Sequence, residues 1–208
     1  MNHQGLILET STDSSVIAVL KNGKVNEHVF LENKRQLSND TFKAIIDFFP
    51  DPSSIDFVCT GIGPGSYTGS RVAVTIAKSL CYSLNIPLIT FSSLKAFTPD
   101  ISGSFFILLD AKIDGIFVLE GKKEGPSASF KGPYLSKIDQ FIQKNMQNPT
   151  ILCSCETEIL KKKIDHNNAR WMSLKPNIDF LSHYLWGKWL NKKFTNLDDL
   201  EILYLRGS

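Results

Sequence analysis

The richest chemical potential in this chain lies in Gly61-Ile62-Gly63-Pro64-Gly65-Ser66-Tyr67-Thr68-Gly69-Ser70-Arg71. A glycine-rich turn that opens a helix presents backbone N–H groups and the positive end of a dipole, which suits an anion or a phosphate. The spacing excludes several familiar uses. No Lys-Ser/Thr follows the last glycine, as a P-loop requires. Gly61 and Gly63 are not followed by a glycine three positions on, so the dinucleotide fingerprint is absent. Pro64 removes one donor from the loop. Ser66 has Pro64 rather than glycine two residues before it, so it is not a nucleophile elbow. Two readings of Gly63, Gly65, Ser66 and Thr68 stay open: an anion or nucleotide contact, or a tight turn in which Ser66 or Thr68 caps the helix.

The other reactive side chains carry less. Cys59 and Cys81 sit in apolar runs, where cysteine acts as a small hydrophobe. Cys153-Ser154-Cys155 is too tight for an ordinary disulfide and lacks the second pair of a zinc site. The basic clusters Lys122-Lys123, Lys161-Lys162-Lys163 and Lys192-Lys193 have no interleaved aromatics, so they read as solvated faces and not as a single-strand platform. A serine hydrolase built on Ser66 lacks a histidine marked as its base.

The elements that must position the loop follow from periodicity. Gly5–Thr10, Val16–Lys21 and Lys24–Phe30 read as strands. Asn22-Gly23 joins the last two with the strongest short hairpin signal. A helix over Leu37–Phe49 ends at Pro50 and Pro52. Ile55–Thr60 is a strand and Thr68–Leu84 a helix, with Ala73, Ile76, Ala77, Leu80 and Cys81 on one face. Pro87–Thr90 is a short strand, and Ser92-Ser93 opens a short helix through Phe97.

Breakers from Pro99 to Gly103 divide the chain into lobes at 1–100 and 101–208. The second lobe repeats the order of the first. Strands are expected at Ser104–Asp110 and Gly115–Glu120, with a turn at 111–114, and a weak one at Ala128–Lys131. Ser136 with Asp139 forms a capping box for a helix to Asn145. A strand over Thr150–Cys153, a helix over Glu156–Ile164 and a strand over Ala169–Leu174 follow. Then come a helix over Asn177–Leu190, with Trp186 and Trp189 as packing residues, and a strand over Leu200–Leu205.

The 208 residues, 42% hydrophobic and 21% charged, match a soluble α/β chain and exclude a disordered or collagenous one. A net charge of +2 makes no global electrostatic case for nucleic acid or an anionic membrane. No apolar run approaches the ~20 residues that span a bilayer. Met1–Gly5 lacks a signal-peptide pattern, so a reducing cytoplasm is the expected location. No interpretive weight is placed on Gly207 and Ser208.

Gly63-Pro64-Gly65-Ser66-Tyr67-Thr68-Gly69-x-Arg71 resembles the signature of the bacterial TsaB (YeaZ) family. Leu8-Glu9-Thr10-Ser11-Thr12, Pro87 to Leu94, Leu109-Asp110-Ala111-Lys112 and Leu203-Tyr204-Leu205-Arg206 resemble further family segments in order. The sequence departs from the family at Glu9, usually Asp, at Leu37, near a frequent His, at Ser70, usually Leu or Val, at Ala73, usually Gly, and at Lys112, usually Arg. The resemblance implies the actin/Hsp70/sugar-kinase (ASKHA) fold, with two related lobes, each a mixed sheet with helices.

The resemblance also implies a non-catalytic accessory subunit in making threonylcarbamoyladenosine next to the tRNA anticodon. Such a subunit pairs with the TsaD transferase, meets the small ATPase TsaE on that pair, and reaches tRNA only through the complex. No tightly bound cofactor is implied, and ATP or ADP belongs at the complex interface. TsaD-like subunits hold a metal through His-x-x-x-His; His3, His28, His166 and His183 are not so spaced. Glu9 and Asp110, at strand ends, occupy places where kinases of this fold bind Mg²⁺ or set a general base. Turn capping is the alternative for both. The competing function is a free-standing small-molecule kinase or phosphotransferase of the same fold.

The two N-terminal helices carry more apolar surface than one core contact needs. In the first, Leu37, Ile45 and Phe48 fall on one side, and Phe42, Ile46 and Phe49 on another. In the second, Val72 and Val74 lie outside the face of Ala73, Ile76 and Leu80. The expected pairing face is Leu37, Phe42, Ile46, Phe49, Val72, Val74 and Ile76. It would serve TsaD, or a homodimer when the partner is absent. The alternative is that these residues cover one another inside the monomer.

Overall fold

A computed structural model describes residues 2–31, 34–112 and 115–205. Ile113 and Asp114 of the expected turn, and Arg206, Gly207 and Ser208, lie outside the described residues. By internal contacts the chain divides into two units. One comprises Met1–Ser93 and Ile178–Leu203; the other comprises Leu94–Asn177 and the residues from Tyr204 on.

The first unit is built on a five-stranded sheet in the order β3-β2-β1-β4-β5. Its strands are β1 (Gln4–Glu9), β2 (Ser15–Lys21), β3 (Lys24–Leu31), β4 (Phe57–Gly61) and β5 (Leu88–Phe91). β1 and β2 pair antiparallel, with Leu6 opposite Val19 and Leu8 opposite Ile17. β4 then joins β1 in parallel, and β5 joins β4 in parallel. The β2–β3 turn has positive φ at both Asn22 and Gly23, as the Asn-Gly pair predicts. Leu6, Ile7 and Leu8 are all fully buried, because β1 lies mid-sheet and is covered on both faces.

Helices α1 (Leu37–Phe48) and α2 (Tyr67–Leu84) are the crossovers into β4 and β5, and both pack on one face of the sheet. Leu6, Leu8, Ile17, Val58, Ala44, Ile45, Ala73, Ala77 and Cys81 meet there. The opposite face is covered by a helix from far along the chain, α5 (Ile178–Leu190). The Phe57 ring lies over Gly5, where an added Cβ would overlap it, and stacks on Trp189 at 4.4 Å. Trp186 sits against Gly23 and 6.3 Å from Phe57. The helix expected within lobe 101–208 is thus part of the first unit. Sequence order misplaces it, because the aromatic surface it buries comes from β4 and the first hairpin.

The second unit repeats the design. Its sheet runs β10-β9-β6-β7-β8. The strands are β6 (Gly103–Asp110), β7 (Ile116–Glu124), β8 (Ser127–Ser136), β9 (Thr150–Ser154) and β10 (Ala169–Ser173); α3 (Ile138–Asn145) and α4 (Thr157–Lys163) are the crossovers. Strand for strand this is the order of the first sheet, and the parallel and antiparallel pairings correspond. Leu108, Val118, Leu152, Phe141 and Leu160 form its core.

Three local expectations change. The weak run Ala128–Lys131 is part of a ten-residue strand, held by its long pairing with β7. The capping box does not form: Lys137 is the N-cap of α3, and the Ser136 hydroxyl donates to the Lys137 carbonyl. Leu200–Leu205 forms no strand; the segment is irregular, with Leu197 and Leu200 packed on the first core.

Trp186 is half-buried. Trp186→Ala is therefore expected to cost about 2–3 kcal/mol in urea denaturation, below the ~3–5 kcal/mol typical of a fully buried large aromatic.

Candidate functional site

The glycine-rich segment leaves the end of β4 and enters α2. Ser66 is the N-cap, and its hydroxyl accepts the Gly69 N–H at 3.2 Å. The Ser66 N–H donates to the Ser11 carbonyl at 2.6 Å. The Thr10 hydroxyl donates to the Gly69 carbonyl at 2.7 Å. The turn after β1 is thereby laced to the first turn of α2, once between main-chain atoms and once through the Thr10 hydroxyl.

That contact explains the glycines. A Cβ on Gly65 would overlap the Ser11 carbonyl, and a Cβ on Gly69 the Thr10 carbonyl. Gly63 adopts φ +96, a conformation L side chains rarely reach. Gly65 therefore serves close approach to the Thr10–Ser11 turn. Gly69, left out of the candidate set, makes the equivalent contact one turn later. Its signal was a glycine inside a helix, a position that costs about 1 kcal/mol unless packing requires it.

Several of the loop donors are spent internally. The Gly63 N–H goes to the Ser93 hydroxyl at 2.9 Å, the Ser66 N–H to Ser11 and the Ser70 N–H to the Ser66 carbonyl. Leu203 N–H caps the Ile62 carbonyl at 2.8 Å. Of the four loop candidates, Gly63, Gly65 and Ser66 build this junction. Thr68 is exposed and lines a different feature, the groove between α1 and α2.

The two strand-end acids both cap turns. Glu9 accepts the Ser11 N–H at 2.8 Å and its hydroxyl at 2.5 Å. Asp110 accepts the Lys112 N–H at 2.9 Å and the Lys163 ammonium at 2.7 Å. For Asp110, burial raises the pKa, but the bonds from Lys163 and Lys112 together outweigh it, and the carboxyl lies below its ordinary value. For Glu9, burial dominates and pushes the carboxyl up. Cys59, Cys81 and Cys153 are buried and unpaired, and burial lifts the Cys81 and Cys153 thiols to about 12. Among the described residues no cluster of three potential metal ligands occurs, and no helix is long and apolar enough to cross a membrane.

The second feature is the outer side of α1 and α2. Phe42 and Ile46 are 52% and 63% exposed, and Tyr67 and Tyr82 are 53% and 79% exposed. The Arg71 guanidinium lies 3.7 Å over the Tyr67 ring. Phe42, Tyr67, Arg71, Val72 and Ile76 line the groove between the helices. Of the expected pairing residues, Phe42 and Ile46 are exposed, and Leu37 and Val72 are half-buried.

Phe49, Val74 and Ile76 are core residues, which corrects their assignment to an exposed face. Phe49 follows the last helical residue of α1, with φ −130, so it turns inward instead of continuing the Phe42–Ile46 stripe. α2 is enclosed over more than one stripe: Ser70, Val74, Ala77 and Cys81 are buried together with Ala73 and Ile76. The sequence reading missed Tyr67, Arg71 and Tyr82 as face residues. Their helical spacing, continued through Thr75 and Lys78, was the available signal.

A family model described as "TsaD: tRNA N6-adenosine threonylcarbamoyltransferase" matches residues 36–167, well over half of the chain. The chain belongs to that family. A TsaB protein of Bacillus subtilis, named for tRNA threonylcarbamoyladenosine biosynthesis, is 34% identical over 94 residues, 43% of this chain and 41% of the relative. The Haemophilus influenzae protein of the same name is 30% identical over 94 residues, 44% of this chain and 40% of the relative. These alignments span about two fifths of the relatives' length. The solved structure of YeaZ from Pseudomonas aeruginosa superposes with a TM-score of 0.78 over 98% of this chain and 100% of that one, at 18% identity. That likeness establishes the two-lobed α/β fold of the ASKHA type.

Gly69→Ala and Gly187→Ala separate propensity from packing. Both glycines are helical, but only Gly69 has backbone where a Cβ would go; Gly187 faces open space. Gly187→Ala is expected to stabilise by about 1 kcal/mol. Gly69→Ala is expected to destabilise by about 1–3 kcal/mol, both read by thermal denaturation.

Proposed function

We propose that this chain is a non-catalytic subunit in tRNA threonylcarbamoyladenosine biosynthesis, and that it works by pairing with a TsaD-type transferase through the outer face of α1 and α2. The observation that carries this reading is that face itself. Phe42, Ile46, Tyr67 and Tyr82 are large, exposed and grouped on two neighbouring helices whose inner sides already fill the core. An exposed apolar patch of this kind marks a partner surface. Arg71, laid flat on Tyr67, adds a charged group of the type enriched at the centres of interfaces.

Membership of the family and the naming of the relatives support the pathway. The absence of catalysis is supported by the acids: Glu9 and Asp110 are occupied as turn caps. Internal use of the Gly63, Ser66 and Ser70 N–H groups supports placing any ATP or ADP at the complex interface and not on the glycine loop. A TsaE-type ATPase would then dock on the assembled pair, tRNA would meet the chain through the complex, and a homodimer would use the same face when the transferase is absent.

Co-purification with the cognate TsaD-type subunit tests the reading. Phe42→Glu and Ile46→Glu change exposed residues and should leave the monomer folded. Each is expected to weaken pairing by roughly 10–100-fold, the range of a central interface residue. Ile159→Glu, at an exposed position on α4, should leave pairing unchanged. Normal pairing by both α1 variants would assign the partner to another surface.

A further inference from the structure

We propose that Glu9 is carried uncharged in the folded protein and acts as a positioning residue, its proton completing the clasp that seats the start of α2. Glu9 is the last residue of β1 and is fully buried. Its two carboxyl oxygens have unlike surroundings. Oε1 accepts both the N–H and the hydroxyl of Ser11. Oε2 is buried and has no hydrogen-bond partner. Gly61 lies directly against it, so that a Cβ there would overlap Oε2; the Ser93 hydroxyl faces the same spot and eases a charge on the carboxyl, but less than burial opposes one.

A buried carboxylate oxygen with no donor is costly, and the cost falls when a cation or a proton is present. No cation contributes here. The β1–β2 turn presents Ser11, the end of β4 presents Gly61, and the segment after β5 presents Ser93; none is ionisable, and no charged neighbour acts on the carboxyl. A proton on Oε2 removes the charge and supplies a donor towards the Ser93 oxygen. That oxygen already accepts the Gly63 N–H.

The carboxyl stands at the head of a relay. Its Oε1 bonds hold Ser11, and the Ser11 carbonyl receives the Ser66 N–H. Ser66 caps α2 through Gly69, and Thr10 binds the Gly69 carbonyl. Ionising Glu9 puts an unsolvated charge behind this junction and loosens the first turn of α2, which bears Tyr67 and Arg71. The inference concerns the isolated chain and does not depend on its partner.

The sign follows from linkage. A carboxyl raised in the folded state keeps its proton where the unfolded chain has lost it. Its stabilisation is complete below the ordinary glutamate range and is lost as pH rises towards the folded value, by at most tenfold in the folding equilibrium per pH unit. Asp100 and Asp110, held below their ordinary value, act in the opposite sense and at lower pH.

Glu9→Gln keeps the shape, the Oε1 acceptor and a donor, but cannot ionise. Side-chain ¹³C NMR of the wild type should show one glutamate Cδ resonance, absent from Glu9→Gln, still at its protonated position at neutral pH. Amide exchange at Ser66 and Gly69, corrected for intrinsic rates, should speed up in the wild type as that resonance titrates and stay flat in the variant. A Glu9 resonance that titrates in the ordinary glutamate range overturns the proposal, as does identical pH dependence of exchange in the two proteins. Should the variant fail to fold, the wild-type titration alone decides.

Discussion

The close approach of two stretches of main chain sets the position of α2 in the first unit. The Thr10–Ser11 turn touches the loop and first helical turn from Gly65 to Gly69, with backbone oxygens where side chains would otherwise stand. Nothing larger than glycine fits at Gly65 or Gly69, and Gly61 is held open for the Glu9 carboxyl in the same way. Hydrogen bonds across it are short: the Ser66 N–H to the Ser11 carbonyl and the Thr10 hydroxyl to the Gly69 carbonyl. The position of α2, and with it the groove shared with α1, is set from this end. The loop is a joint between the turn after β1 and α2.

The repeat within the chain sharpens that point. β6 is to the second sheet what β1 is to the first, and Asp110 ends β6 as Glu9 ends β1. Both acids cap the following turn. Lys163 and Lys112 neutralise Asp110, whereas Glu9 has serines around it and no cation. The crossover helices diverge as well. α4 has 7 residues and ends in lysines, while α2 has 18 and carries an aromatic outer stripe. One topology therefore carries two elaborations: the second unit keeps short crossover helices, and the first adds the joint at the start of a long α2.

Burial sorts the apolar residues of α1 and α2 into two groups with different physical roles. Ile45, Phe49, Ala73, Ile76 and Ala77 are withdrawn from water by the sheet, and their energy is spent on folding. Phe42, Ile46, Tyr67 and Tyr82 keep half or more of their surface in water in the isolated chain, so the energy of burying that surface is available for association. That role rests on exposure and grouping alone.

Much was legible in the residues alone. Alternation and runs of Val, Ile and Leu located nine of the strands, Asn22-Gly23 set the hairpin, and the repeated element order anticipated two sheets of one topology. The glycine-rich segment was recognisable as the unusual part of the chain and as a family signature, because local spacing survives in the linear text. What the loop's glycines are for was decided by the Thr10–Ser11 turn, more than 50 residues away, since no local pattern encodes which backbone will come to rest against them. Tertiary structure also drew α5 into the first unit, because Phe57, Gly5 and Gly23 form the aromatic bed it covers. It likewise turned Phe49 and Val74 inward and left Phe42 and Ile46 out. Helical periodicity states which residues share a side; only the packing of neighbouring elements states how much of the helix circumference is covered.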